Sequence, residues 1–118
     1  MKEVSPPLAA RTEVALPQRA DAPTEQRAWD LMVTGAGKRT AMELEMRLRD
    51  AQILERRIRL KLRDDPVDAF VLLVANTRTN REVLSQHPDL LGLPRLTPGS
   101  VLRALRDGRH PPSGTVFL

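Results

Sequence analysis

The alternation of apolar and polar positions changes period several times along this chain, and each change marks an element. Residues 11–16 alternate, with Thr12, Val14 and Leu16 on one side and Arg11, Glu13 and Ala15 on the other, which predicts a first strand. Residues 17–25 contain Pro17 and Pro23 and read as a turn-rich connection. Residues 28–34 (AWDLMVT) alternate again, setting Trp29, Leu31 and Val33 against Ala28, Asp30 and Met32. Gly35-Ala36-Gly37-Lys38 is a hairpin-like turn into a third strand over 39–46. There Ala41, Glu43 and Glu45 fall on one side and Met42, Leu44 and Met46 on the other, predicting one buried face and one acidic face. Three consecutive antiparallel strands are therefore expected, each with an acidic residue at mid-strand.

From about Arg47 the period becomes helical. Ala51, Leu54, Ile58 and Leu62 form an apolar stripe, and Arg49, Gln52, Arg56, Arg59 and Arg63 line up on its flank at i, i+3, i+7, i+10 and i+14. Residues 57–62 also alternate, so an extended end to this helix is the competing expectation. Asp64-Asp65-Pro66 is a stop signal. Residues 69–75 (AFVLLVA) are apolar on both parities, as in a strand covered on both faces. Thr79 or Asn80 then caps a helix to about Gln86, and residues 88–98 form a loop whose leucines tuck onto the core. Ser100 caps a short helix over 101–107 that ends at Gly108, and residues 115–118 make a final strand. Residues 1–10, with Pro6-Pro7 and no periodicity, are expected to be loosely ordered, and 11–118 to form one domain. The fold class is α/β, with the order β-β-β-α-β-α-α-β.

A length of 118 residues suits a single domain with a modest core, and aromatics at 3% make that core aliphatic. The formal net charge of +4 and a sequence pI near 10.6 favour anionic partners. The absence of cysteine excludes disulfides, thiolate metal sites and a cysteine nucleophile. The longest apolar run, residues 69–75, is too short to span a bilayer, and the N-terminus lacks the apolar region of a secretory signal. A soluble, cytoplasmic protein is expected.

The chemistry concentrates on the third strand and the helix after it. A strand that delivers carboxylates beside a helical row of cations brings candidate divalent-metal ligands next to a candidate phosphate track, which suggests nucleic-acid chemistry. The competing reading is an ordinary solvated charged face. Glu45 with Arg47 or Arg49 fits a surface ion pair. His87 and His110 stand beside prolines as loop residues, so no histidine-based site is expected. Gly35-x-Gly37-Lys38 lacks the spacing and the Ser/Thr of a phosphate loop. Asn76, Thr77, Asn80 and Arg81 read as caps at a strand-to-helix junction.

With Glu13, Asp30 and Glu43-x-Glu45 on successive strands, this order resembles the PD-(D/E)xK, or restriction-endonuclease-like, superfamily. The chain resembles more closely the C-terminal domain of actinobacterial proteins that often carry an upstream helix-turn-helix domain. The segments RTEVALP, RAWDLMVTG, AMELEMRLRDAQ, RRIRLKLRDD, VLLVANTRTNR and HPPSGTVFL carry the resemblance across most of 11–118. It implies a restriction-endonuclease-like core with a three-stranded antiparallel start, a crossover helix, further strands and flanking helices. It also implies Asp30 and Glu43 as Mg²⁺ ligands (Mn²⁺ as substitute), with Glu13 as an extra ligand from the first strand. The superfamily lysine that positions the attacking water is replaced here by Glu45, so the motif reads Glu-x-Glu, with Arg47 or Lys38 as candidate replacements. Gln52 is similar to a helix glutamine near the metal in recombination-type exonuclease domains. The superfamily's helix before the first strand has little room in ten residues.

Two functions follow from the resemblance. One is a metal-dependent phosphodiesterase acting on DNA, with Asp30, Glu43, Glu45 and Gln52 at the centre and Arg49, Arg56, Arg59 and Arg63 on the phosphates. The other is a catalytically inactive DNA- or protein-binding domain of a transcriptional regulator or defence system. Glu45 favours the second, and the Asp30–Glu43 pair favours the first.

Overall fold

The Ala36-Gly37 dipeptide sets the geometry of the first half of the molecule. Both residues have positive φ, 55° and 73°, so the two-residue turn between Gly35 and Lys38 matches the twist of the strands it joins. The computed structural model describes residues 8–17 and 27–118. Its elements are β1 (Ala9–Ala15), β2 (Ala28–Gly35), β3 (Lys38–Glu45), α1 (Ala51–Asp64), β4 (Ala69–Val74), α2 (Arg78–Gln86), β5 (Arg95–Leu96), α3 (Pro98–Arg106) and β6 (Gly114–Phe117). They build one mixed sheet in the order β1-β2-β3-β4-β6-β5. The first three strands are antiparallel, and β3, β4, β6 and β5 are parallel to their neighbours, with α1 as the crossover between β3 and β4.

Two apolar clusters fill the two faces. Ala51, Leu54 and Ile58 of α1 and Leu84 of α2 pack with Phe70, Leu72 and Val74, while Val101 and Leu105 of α3 pack with Val71 and Val116. Both faces of β4 are therefore covered, as its continuous apolar run requires.

Several boundaries differ from the sequence reading. Leu8 is buried and β1 begins at Ala9, so residues 8–10 belong to the fold; residues 1–7 and most of the 17–25 connection lie outside the described residues. α1 begins at Ala51 rather than near Arg47, because the Asp50 carboxylate accepts the Gln52 and Ile53 amides at 2.9 and 3.1 Å. It remains helical to Asp64. Thr77 caps α2 and Thr97 caps α3, where Thr79, Asn80 and Ser100 were expected. The 88–98 segment holds a 3₁₀ turn (Leu90–Gly92) and the short β5, so the order gains a strand.

The strict alternation read from β1 and β2 does not hold. Leu31 and Val33 belong to the α3 side, yet Trp29 belongs to the α1 side. In β1, Ala10 packs on the α3 side and Val14 on the α1 side. Both strands switch faces across the same rung, where Glu13 stands opposite Asp30, while the pairings on either side keep one register. Glu13 has φ 54°, which breaks the pleat there. This switch turns Trp29 under α1.

Candidate functional site

β2 and β3 pair regularly from the turn as far as Leu31 and Met42. One rung further on, the Asp30 carboxylate takes over from the ladder and accepts the Leu44 amide at 2.8 Å. The strands part here around a cavity of about 430 Å³ lined by Asp30, Glu43, Glu45, Arg27, Arg57 and Lys61, among others. The structure thus brings Asp30 and Glu43 together on the wall of one cavity.

The acidic face expected on β3 is not solvated. Glu43 is only 4% exposed because α1 lies over it, and Ala41 and Met42 are buried on opposite faces beside it. Lys61 of α1 answers this burial. Its ammonium donates to Glu43 Oε1 at 2.5 Å and to the Ala28 carbonyl at 2.8 Å, and lies 5.5 Å from the centre of the Trp29 ring. Burial raises the Glu43 carboxyl to about 7; the neighbouring Asp30 carboxyl adds to the rise and Lys61 opposes it. Glu45, on the same face, forms an ion pair with Arg57 of α1.

The end of α1 holds this arrangement in place. Asp65 is buried and receives Trp29 Nε1 at 2.9 Å and a two-pronged contact from Arg39 at 2.9 and 3.0 Å. Arg39 foremost, with Trp29, holds the Asp65 carboxyl below its ordinary range. Asp64 takes Arg27 at 2.8 Å. Two carboxylates at a helix C-terminus oppose its dipole, and these arginines offset that. The result clamps β2 and β3 to α1 one turn beyond Lys61. At the start of the helix, the buried Asn80 side chain accepts the Leu48 amide at 2.8 Å and donates to the Met46 and Ala75 carbonyls at 3.0 and 2.9 Å. It is an internal staple rather than a cap.

Other expected site residues fall elsewhere. Glu13 is exposed, and among the described residues no three His, Asp or Glu side chains are grouped closely enough to hold a metal ion. Gln52, Arg56, Arg59 and Arg63 line a different cavity, between α1 and the segment after α2, which shares no residue with the carboxylate pocket. These four are therefore not beside the carboxylates, because successive residues of a helix turn by about 100° and Arg56 and Arg57 face different neighbours, while Arg49 lies before the helix begins. Arg47 and Arg49 border Glu45 and Arg57 in a smaller hollow of about 230 Å³. Lys38 sits exposed at the far end of β3. His110 pins its loop to the hairpin, with Nε2 on the Gly35 carbonyl at 2.8 Å and Nδ1 on the Thr40 hydroxyl at 2.7 Å.

Lys61 is the residue the sequence reading missed. The buried face of α1 is Ala51, Leu54, Ile58 and Lys61, with Leu62 only half-buried. The available signal was a lysine at i+7 from Leu54, on the same helical face.

The donor set suits Mg²⁺, which is commonly held by one or two carboxylates and completes its shell with water and phosphate oxygens. Asp30 and Glu43 would hold it, with Glu45 on the same cavity wall. Compared with models of known protein families, with curated proteins and with solved structures, the chain gives no significant match. No helix among the described residues is long and apolar enough to cross a membrane.

Proposed function

We propose that this is a nuclease-like domain acting on DNA, with a metal-dependent phosphodiesterase centre built from Asp30, Glu43 and Lys61. The observation that carries this reading is the convergence of the three side chains where the β2–β3 ladder opens. When bound, Mg²⁺ supplies Lewis acidity and lowers the pKa of a coordinated water. Lys61 takes the place that the Glu-x-Glu motif leaves without a cation. Two of its three N–H groups are committed to Glu43 and Ala28, which leaves one to orient a water at the carboxylate pair. Arg57, half-exposed on the same wall, can leave Glu45 to offset charge on a phosphate.

A second reading, a non-catalytic DNA- or protein-binding domain of a regulator or defence system, is favoured by one feature. Both Glu43 and Glu45 are already neutralised by basic side chains of α1. Incubation of plasmid and single-stranded DNA with Mn²⁺ separates the two. Cleavage by the wild type that is lost in Glu43→Gln and reduced in Lys61→Met supports the enzyme. No cleavage by the wild type, with no change in melting temperature on adding Mn²⁺, leaves the non-catalytic reading.

A further inference from the structure

The flank of α1 away from the carboxylates carries chemistry that the proposed centre does not use. A cavity of about 730 Å³ lies there, lined by Arg56, Arg59 and Arg63 from the helix and by Gln86 and His87 from the facing segment. The exposed charged residues of α1 are all arginines: Arg56, Arg57, Arg59 and Arg63. The acids nearby are Glu55, Asp64 and Asp89. Glu55 Oε2 accepts the Leu91 amide at 2.8 Å, and its contact with Arg59, at 3.3 Å, is an exposed one-turn pair of the kind that is worth little and exchanges readily. Asp64 is shared by Arg63 and Arg27, both at 2.8 Å. No ion pair holds Arg56 among the described residues.

We infer that this groove is a phosphodiester-backbone site separate from the carboxylate centre, and that it serves duplex rather than single-stranded DNA; this rests on the reading of the domain as one that acts on DNA. Arg56 to Arg63 rises by about 10 Å along the helix, enough to reach neighbouring phosphates of one duplex strand. An α-helix with its side chains is about 10–12 Å across, close to the width of a major groove of about 12 Å. A helix laid there meets one backbone with each flank. α1 has cations on both: Arg57 beside the carboxylates, and Arg56, Arg59 and Arg63 on the other side. An acidic peptide offers no such pair of parallel tracks.

The test uses the full chain carrying Glu43→Gln, without divalent metal, so that binding is measured apart from cleavage. Fluorescence anisotropy with a labelled duplex, and with one of its strands, is followed across a salt series. The duplex is expected to bind more tightly than the strand. Arg56→Glu with Arg59→Glu should weaken duplex binding at least tenfold and lower the slope of log K against log salt by about 2, at about 0.9 per phosphate contact. Arg103→Glu on α3 should change neither. Duplex affinity unaltered by the paired substitution, single strand bound as tightly as duplex, or equal competition by poly-glutamate would each overturn the inference. Failure of the centre is read separately, as absence of Mn²⁺-dependent cleavage by the wild type.

Discussion

Lys61 and Glu43 meet at 2.5 Å between α1 and β3, with the lysine 9% and the glutamate 4% exposed. The cation of the candidate centre therefore comes from the helix, across from Glu43, while Glu45 faces Arg57. Removing water from both charges is costly, and their attraction offsets it only while both are present. Lys61→Met alone should destabilise the domain by about 2–4 kcal/mol, since it strands a buried carboxyl. Lys61→Met combined with Glu43→Leu should lose clearly less than the sum of the two single losses. Urea denaturation of the four proteins checks this, and strictly additive losses would mean the pair is not coupled.

The same carboxyl gives stability a pH signature. Glu43 titrates near 7 in the folded chain against an ordinary value of 4.5, because of burial first and of Asp30 second. A group raised in this way binds more protons folded than unfolded, so its contribution is fully present below about 4.5 and is lost as pH rises through about 7. Asp64 runs the other way: held down to about 2 by Arg63 first and also by Arg27, it stabilises above its ordinary 3.8 and fails as pH falls through about 2. Melting temperature should peak between these limits, and Glu43→Gln should flatten only the neutral limb. An unchanged neutral limb in that variant would assign the slope to another group.

What the sequence made legible depended on whether the cause was local. The Ala36-Gly37 turn declared itself because a two-residue hairpin needs positive φ at both positions. Asp30 and Glu43 were legible because neighbouring antiparallel strands place their mid-strand residues close together. The face switch at Glu13 and Asp30 was not, since a single positive φ at a non-glycine residue leaves no mark on an alternating pattern. Lys61 was passed over because a stripe counted in apolar residues steps past a buried lysine whose partner lies on another element. The arginines line up in sequence, yet which wall they face depends on the 87–90 segment, fixed only by tertiary packing. β5, with two residues, is too short to have a period.

Asn80 ties the chain after β3 to the chain after β4. Its amide is 1% exposed and bonds to the backbone of three positions: Met46 and Leu48, just past β3, and Ala75, just past β4. Asn80→Ala should cost about 2–4 kcal/mol, because three backbone groups lose their partner in a buried place. Asn80→Asp keeps the acceptor for Leu48 but turns the donor edge into an acceptor against two carbonyls, so it should be at least as damaging at neutral pH. Chemical denaturation compares them, and an aspartate variant as stable as the wild type would refute the staple.

Glu45→Lys puts a lysine where the proposed nuclease reading expects one on the strand, and its outcome separates two sources of positive charge. If four grouped carboxylates stood without a cation, this change would stabilise the metal-free domain. The structure reverses that expectation: Lys61 already faces Glu43, and Glu45 already faces Arg57, so a lysine at 45 meets an arginine. A loss of up to about 1 kcal/mol is expected, as for other partly exposed pairs. On the Lys61→Met background the sign should invert. Residues two apart on a strand share a face and are separated by about 6.6 Å, within reach of a lysine side chain. Lys61→Met with Glu45→Lys should therefore recover part of the stability lost in Lys61→Met, and part of any Mn²⁺-dependent cleavage. Glu45→Lys alone should add no cleavage. If it instead makes an inactive wild type active, while Lys61→Met changes nothing, then the working cation belongs on the strand and Lys61 only neutralises a buried carboxylate.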